Sequence, residues 1–203
     1  ISYVKWDMNR NMTEIGSTAW PAKKQKEIAH RYMLGLYKIL ENITSNFPNI
    51  LFESCSGGGG RFDGGMLYYM PQTWTSDDTD AIERLMIQEG TSLVYPTSSM
   101  GSHVSAVPNH QVHRITPLNT RGVVAMAGSF GYELDVTKMN EEEKEEVKKQ
   151  VEFYKNIRST VQFGDLYRLK SSFDSNEAAW MNLSKDGKEV VVSYVKKYAE
   201  ANV

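Results

Sequence analysis

Two kinds of hydrophobic spacing alternate along residues 1–163 of the chain. Short runs of apolar and β-branched residues with period two predict strands, and apolar positions three and four residues apart predict helices between them. The predicted strands cover residues 2–6, 50–54, 73–76, 92–95 and 130–136. The predicted helices cover residues 21–46, 66–70, 78–90, 117–128 and 140–161, and a long loop is expected at 96–116.

This alternation is typical of parallel strands joined by right-handed crossovers. Five strand-helix units suit either a doubly wound sheet or part of a (β/α)8 barrel. Since a complete barrel needs about 250 residues, residues 1–163 could hold only five of its units. The first strands of such a barrel are then expected to be missing from this chain.

The spacing changes after Phe163. Two strand-like runs flank residues 185–187, Lys-Asp-Gly, which is a signal for an antiparallel hairpin. The sequence therefore predicts a boundary near Gly164, with an α/β domain at 1–163 and the start of an antiparallel β domain at 164–203.

Composition excludes several classes of partner. The chain has 203 residues, of which 40% are hydrophobic and 24% charged, and a net charge of −2. This charge gives no reason to expect nucleic acid or an anionic membrane as a partner, and no apolar run is long enough to span a bilayer. The single cysteine, Cys55, cannot form an internal disulfide, which favours a reducing compartment and a cytoplasmic location.

Three of the predicted strands end in residues with reactive side chains. Asp7 ends the first, on the face that also carries Lys5; Cys55 ends the second, on the face of Glu53; Asp77 ends the third. The carboxyl ends of parallel barrel strands meet at one rim, where barrel enzymes have their active sites. Two carboxylates at one rim are the groups that glycoside hydrolysis requires.

Each aspartate also has a structural interpretation. Asp7 could cap a turn or pair with a neighbouring cation. Asp77 opens the run "SDDTD" ahead of a helix, where aspartates are ordinary N-caps. Asp78 or Thr79 could cap that helix, and Asp78 and Asp80 are better cap candidates than Asp77.

The run "CSGGGGRFDGG" is rich in glycine but lacks the Gly-Lys-Ser/Thr ending of a phosphate-binding loop. Glycine lets the backbone come within hydrogen-bonding reach of a bulky ligand such as a sugar ring, although a merely flexible loop would have the same composition. Cys55 lacks the signature of a nucleophile paired with a histidine, and a small buried apolar role suits it better.

Three histidines, His103, His110 and His113, follow in the predicted loop. Their spacing matches no standard zinc pattern. We therefore predict loop-packing roles for them, with no metal and no cofactor.

Five motifs taken together resemble those of glycoside hydrolase family 36, the α-galactosidases. They are "VKWDMNR", "SCSGGGGRFD", "WTSDDTDA", "GSHVSAVPNHQ" and "GYELD", and they occur in the order and spacing of the family. The resemblance implies a partial (β/α)8 catalytic barrel followed by an antiparallel β domain. It also implies hydrolysis of terminal α-linked galactose from raffinose, stachyose and melibiose with retention of configuration.

The resemblance further implies roles for individual residues. Asp7 matches the nucleophile and Asp77 the acid/base, while further positions match the galactose pocket: Lys5, Asn9, Cys55, Gly57 and Gly58. In the family, a pair of aspartates and a tryptophan that also bind sugar come from barrel strands that would precede Ile1, so this chain alone is expected to be inactive.

Three other functions are compatible with these motifs. A galactosyltransferase of the raffinose synthase type would use the same residues, and an α-N-acetylgalactosaminidase would need room at the 2-position of the sugar, against which Cys55 and the glycine loop argue. A catalytically incompetent carbohydrate-binding fragment is the third. Because an incomplete barrel exposes strand edges and apolar surface, we also expect a homo-oligomer.

Overall fold

The computed structural model describes residues 1–10 and 12–199. The contacts divide the chain into two units, Ile1–Thr73 and Trp74–Val203. The strands are β1 Tyr3–Trp6, β2 Leu51–Ser54, β3 Gln72–Trp74, β4 Met100–Ser105, β5 Ser129–Glu133, β6 Asp165–Lys170, β7 Glu177–Leu183 and β8 Val190–Lys196. The α-helices are α1 Ile28–Asn46, α2 Gly64–Tyr69, α3 Ala81–Ser92, α4 Leu118–Ala125 and α5 Glu141–Phe163, and short 3-10 helices cover Ala22–Glu27, Thr97–Ser99 and Val136–Lys138.

The first unit places β1 parallel to β2 and β2 parallel to β3. Helix α1 and the short helix α2 cover these strands, and their apolar side chains meet those of β2 in one core cluster. That cluster is formed by Leu40, Phe52, Met66 and Met70. Asp63 begins α2 because its carboxylate accepts a hydrogen bond from the Met66 backbone N–H at 2.8 Å.

The second unit contains a parallel pair, β4 and β5, and an antiparallel sheet in the order β6-β7-β8. One core cluster joins α3 and α4 to the antiparallel sheet, since Ile82 and Leu85 of α3 pack with Val124 of α4 and with Val195 of β8. Helix α5 begins with a capping box between Asn140 and Glu143. The sheet after α5 is therefore packed on the helices by apolar contacts, beyond the covalent link.

Gly164 joins α5 to β6 in a very close approach of the backbone. A Cβ atom at this position would collide with the carbonyl oxygens of Thr160 and Leu183. Both atoms belong to the backbone and cannot move aside as a flexible side chain can, so the junction requires a residue without a side chain.

The predicted α/β order is confirmed for most elements, with the parallel strands in the order of the chain, β1-β2-β3-β4-β5. The predicted hairpin is also confirmed, because β7 and β8 pair antiparallel and the connecting Gly187 adopts a φ of 71°. The strand β6 was not predicted separately.

The predicted fourth strand at 92–95 is wrong. Ser92 ends α3, and the N–H groups of Leu93 and Val94 bond back to the carbonyl oxygens of Gly90 and Thr91, which continues the helical turns. The two apolar side chains that suggested a strand are 65% and 76% exposed. The true fourth strand is β4, inside the segment predicted as a loop, because its sequence "MGSHVS" is mostly polar although every residue of it is buried.

The third strand is shorter than predicted, since β3 ends at Trp74. Asp77 therefore lies in the loop after the strand. The cap of α3 is Asp80, and neither Asp78 nor Thr79: its carboxylate accepts hydrogen bonds from the N–H groups of Ile82 and Glu83 at 3.0 and 3.1 Å. Among the described residues, none of the helices has the length and apolar character needed to cross a bilayer.

Candidate active site

Asp7 and Cys55 lie side by side at the carboxyl ends of β1 and β2. Each residue directly follows its strand, and the ladder between the strands continues past them: the Cys55 N–H donates to the Trp6 carbonyl at 3.1 Å and the Met8 N–H to the Cys55 carbonyl at 3.0 Å. Asp7 is exposed, whereas Cys55 is only 2% exposed. The Cys55 thiol hydrogen-bonds to the Asp7 carboxylate.

These contacts lower the pKa of Asp7. The largest cause is the Cys55 thiol; the Asn9 side chain and the Met8 N–H, at 2.9 Å from Oδ1, act in the same direction, and the positive charge of Lys5 acts least. The neighbouring charge of Lys5 therefore favours the ionised form of Asp7, but it is not the main influence. A hydrogen-bond donor in contact favours a carboxylate more than a separated charge in contact with water does.

The Cys55 thiol responds in the opposite sense. Burial raises its pKa to about 11, and its hydrogen bond to Asp7 adds to the rise. The thiol therefore stays protonated at neutral pH and serves as a donor. The interpretation of Cys55 as a nucleophile is unsupported by this environment, because a nucleophile would need the thiolate.

Lys5 pairs with a buried acid, Glu53, on the neighbouring strand β2. Its partner in the strand register is Glu53, and the Lys5 Nζ lies 4.0 Å from the Glu53 Oε1. Glu53 is 3% exposed and also accepts hydrogen bonds from the Gln72 amide at 2.7 Å and from the Tyr3 hydroxyl. This contact raises the pKa of Tyr3, for which burial is the larger cause.

The glycine-rich loop is tied to the segment after β1. The Gly57 N–H donates to the Asn9 Oδ1 at 2.9 Å and the Ser56 hydroxyl to the Met8 carbonyl at 2.8 Å. Gly57 and Gly58 have φ values of 54° and 86°, a region that favours glycine. No atom lies within 4 Å of where a Cβ of Gly57 would be, so the backbone of the loop is open at this point.

The predicted site residues fall into both units. All of them except Asp77 belong to the first unit, and the hydrogen bonds above bring together Asp7, Asn9, Cys55 and Gly57, with Gly58 next in the same loop. Asp77 belongs to the second unit, where it is exposed and its Oδ1 accepts a hydrogen bond from the Trp74 indole N–H at 3.0 Å. Because Asp80 has the N-cap role, the interpretation of Asp77 as the cap is wrong.

Sequence reasoning missed the residues that support Trp74. His103 was predicted to pack in a loop, but it lies on β4 and is 8% exposed. Its ring stacks on the Trp74 indole with the centroids 4.0 Å apart and the planes 12° from parallel. His110 and His113 do lie in the loop after β4 and are exposed. The signal available for His103 was its place among small residues, since such a run could have been predicted as a buried strand.

No group of three or more histidine, cysteine, aspartate or glutamate side chains within residues 1–10 and 12–199 is arranged to hold a metal ion.

A family model described as Melibiase matches residues 1–164 of the chain. The chain belongs to the Melibiase family. The matched region ends one residue after α5 and contains both Asp7 and Asp77, so the family relation covers every predicted site residue.

Curated relatives of this Melibiase chain carry α-galactosidase names. It is 68% identical over 202 residues to α-galactosidase AgaA from Geobacillus stearothermophilus, covering 100% of this chain and 28% of AgaA. It is 58% identical over 201 residues to α-galactosidase Mel36A from Lactobacillus acidophilus, covering 99% of this chain and 27% of Mel36A. The chain thus spans little more than a quarter of the length of these relatives.

Solved structures of the family agree with the fold. The crystal structure of the family 36 α-galactosidase AgaA matches with a TM-score of 0.97 at 68% identity, over 100% of this chain and 28% of that one. The α-galactosidase of Lactobacillus brevis matches with a TM-score of 0.96 at 52% identity, over 100% and 28% of the two chains. The predicted partial (β/α)8 barrel followed by an antiparallel sheet, and the resemblance to family 36, are confirmed.

Proposed function

We propose that the complete protein is a retaining α-galactosidase that hydrolyses terminal α-galactosyl residues of raffinose-type oligosaccharides and of melibiose. The observation that carries this proposal is the environment of Asp7: an exposed carboxylate at a strand end, kept ionised by a thiol, an amide and a backbone N–H. A nucleophile for an anomeric carbon must be ionised and accessible, and Asp7 is both.

Two complexes of a relative support the same pair of carboxylates. AgaA was solved with raffinose in a form carrying an aspartate-to-asparagine substitution, and with stachyose in a form carrying an aspartate-to-alanine substitution. The two substituted aspartates are separated along that chain by the same number of positions as Asp7 and Asp77 here. We infer that Asp7 is the nucleophile and Asp77 the acid/base.

In the first step, the Asp7 carboxylate attacks the anomeric carbon of the galactosyl residue. The bond from this carbon to the glycosidic oxygen breaks, and protonated Asp77 gives its proton to that oxygen, so the leaving sugar departs as an alcohol. The product on the enzyme is a galactosyl ester of Asp7. The Cys55 thiol, which favours the carboxylate before the attack, keeps its own proton throughout, since its pKa is about 11.

In the second step, Asp77 is a carboxylate and accepts a proton from water as the water attacks the same carbon from the opposite side. The ester bond breaks, Asp7 regains its charge, and α-galactose is released with Asp77 protonated again. Two inversions give net retention.

The other predicted site residues are proposed to hold the sugar. Lys5, beside Glu53, presents an ammonium group on the same face of β1 as Asp7. The Gly57 N–H is bonded to the Asn9 Oδ1, and this pair is proposed to form the wall of the pocket, where the lack of a side chain at Gly57 leaves room for the sugar ring. The backbone N–H of Gly58 acts to lower the pKa of the Cys55 thiol, against the larger effect of burial.

The test of this function follows the anomer formed first. The complete protein is incubated with an aryl α-galactoside, and proton NMR records the product before mutarotation. We expect α-galactose to appear first and the β-anomer later. An aryl β-galactoside and an aryl α-N-acetylgalactosaminide are control substrates that should stay intact, and added sucrose reports transfer to a sugar acceptor. Early β-galactose, or cleavage of the N-acetylated substrate alone, would refute the proposal.

Replacing Cys55 by alanine is expected to narrow the pH range of activity from the acidic side. The thiol is the largest cause of the lowered pKa of Asp7, so removing it raises this pKa. Asp7 must be ionised to attack, and the acidic limb of kcat/KM against pH should therefore move to higher pH. Steady-state kinetics between pH 3 and 8 measure the shift.

The matched control is Cys55→Ser, which keeps a hydrogen-bond donor at the same position. Its acidic limb should stay close to that of the unsubstituted protein. If the alanine and serine variants move the limb equally, the thiol hydrogen bond does not govern the ionisation of Asp7.

Three broader features are also proposed. Residues 1–163 form the carboxyl-terminal part of the catalytic barrel and residues 164–203 begin an antiparallel β domain, which the end of the family match at residue 164 supports.

A homo-oligomer is supported by the exposed apolar side chains of β6 and β8, such as Leu169, Val192 and Tyr194. A cytoplasmic location is supported by the unpaired Cys55.

A further inference from the structure

A tryptophan donor determines which oxygen of Asp77 can hold a proton. The Trp74 Nε1–H donates to the Asp77 Oδ1 at 3.0 Å, and an indole nitrogen can only donate. Oδ1 therefore accepts, and because the carbonyl oxygen of a neutral carboxyl is the stronger acceptor, this contact favours Oδ2 as the oxygen that carries the proton of the neutral acid. The position of the indole thus sets the direction of proton transfer from Asp77.

The indole itself is held by His103 of β4. The two rings are stacked, with centroids 4.0 Å apart and planes at 12°. His103 is 8% exposed, so its ring cannot turn away into solvent. A stack this close to parallel restrains the plane of the indole and with it the direction of the N–H.

The ring of His103 is in turn held at both nitrogens. The Arg84 Nη2 lies 3.2 Å from the His103 Nδ1, and because a guanidinium only donates, Nδ1 must accept. Nε2 therefore carries the hydrogen, and it faces the Glu133 Oε2 at 3.1 Å. The guanidinium assigns the Nε2–H tautomer, and the two charged neighbours restrain the rotation of the ring.

Arg84 connects this assembly to the loop that carries Asp77. It is 2% exposed, and it donates to the Thr75 hydroxyl at 2.5 Å and to the Gly101 carbonyl at 3.1 Å. Burial lowers the pKa of Arg84 to about 10, which leaves it protonated at neutral pH. The same guanidinium thus fixes the start of the loop, the strand β4 and the His103 ring.

We propose that His103 is a positioning residue for proton donation: locked by Arg84 and Glu133 and stacked on Trp74, it holds the indole N–H against Asp77. It contacts neither the substrate nor Asp77 in this role, and acts through the tryptophan. This inference rests on the function proposed above.

The test compares leaving groups. Raffinose needs a proton on its leaving oxygen, whereas a 2,4-dinitrophenyl α-galactoside releases a stable anion and hardly needs one. For each substrate, kcat/KM reports the steps up to the galactosyl ester. In the complete protein, His103→Asn, which keeps polar atoms for Arg84 and Glu133 but lacks the ring, should lower kcat/KM for raffinose by about 10- to 100-fold. The loss with the activated substrate should be several-fold smaller.

A second variant keeps the test decisive if His103→Asn does not fold. Trp74→Phe removes the donor and leaves His103 with its charged neighbours in place, and it should produce the same selective loss. Where both fold, the double variant should lose no more than the worse single variant, because both act on one hydrogen bond. His103→Phe, which keeps a flat ring, should retain more activity toward raffinose than His103→Asn.

Three results would overturn the inference. Equal losses with both substrates in His103→Asn would indicate a purely structural role, and a selective loss in Trp74→Phe with none in His103→Asn would remove His103 from the assembly. If the folded Trp74→Phe protein has no selective loss, the inference also fails. A failure of the proposed function looks different: the unsubstituted protein would then not cleave either galactoside, or Asp77→Ala would not discriminate between them.

Discussion

Asp7→Ala in the complete protein should lower kcat/KM for an aryl α-galactoside by roughly 10⁴-fold or more. The substitution removes the atom that forms the bond to the anomeric carbon, so no galactosyl ester can form. Sodium azide should restore turnover, because the small anion fits the space left by the carboxylate. Azide attacks from the side that Asp7 occupied, and the product should be a β-galactosyl azide, identified by NMR.

Asp186→Ala is the matched control for this experiment. Asp186 is an exposed aspartate in the turn between β7 and β8, and its carboxylate bonds locally to Ser184 and Lys188. The control should keep its activity and gain nothing from azide. If Asp7→Ala hydrolyses the substrate at the unsubstituted rate without azide, Asp7 is not the nucleophile.

Asp77→Ala should lower kcat/KM for raffinose by about 10²- to 10⁴-fold, the usual contribution of a general acid. An activated aryl α-galactoside should be cleaved nearly as fast in the first step, after which the galactosyl ester accumulates for lack of a base. A burst of the phenol in the first turnover would show this accumulation. Azide should accelerate breakdown of the ester, and here the product should be the α-galactosyl azide.

Asp78→Asn is the control for Asp77. Like Asp77→Ala, this substitution removes one negative charge, but at the next position along the chain. The asparagine can still accept the hydrogen bond from the Asp80 N–H, whose nitrogen lies 3.1 Å from the Asp78 Oδ1. The control should discriminate between leaving groups as the unsubstituted protein does. Formation of β-galactosyl azide by Asp77→Ala would reverse the roles of the two aspartates.

The local sequence pattern was sufficient to predict those strands whose residues are themselves apolar. The period of two in β1 and β2 places Asp7 and Cys55 just beyond neighbouring strand ends, and the structure joins them by a hydrogen bond. The hairpin at Gly187 was equally clear, since its turn needs a positive φ.

Local pattern failed where burial is not visible in the residue types. β4 is buried along its whole length, yet it consists mostly of glycine, serine and histidine, which spacing rules assign to loops. Leu93 and Val94 mislead in the opposite sense, as apolar residues left exposed after a helix. Tertiary contacts decide both cases, and a single sequence does not contain them.

The support of Asp77 was also beyond prediction. Trp74 stands three positions before it, but the stacking partner His103 belongs to the next strand and the guanidinium of Arg84 to a helix. The ionisation of Asp7 was predicted only in part from the sequence. The charge of Lys5 is apparent in the sequence, but the thiol contact that lowers the pKa of Asp7 most is not.

The hydrogen bond from Cys55 moves the titration of the Asp7 carboxyl to lower pH, whereas burial, and after it the same hydrogen bond, moves the titration of the thiol to higher pH. Between them lies a broad plateau in which the pair holds one negative charge and one proton, with the charge on oxygen. A moderate change in pH along this plateau would therefore leave the ionisation of Asp7 unchanged.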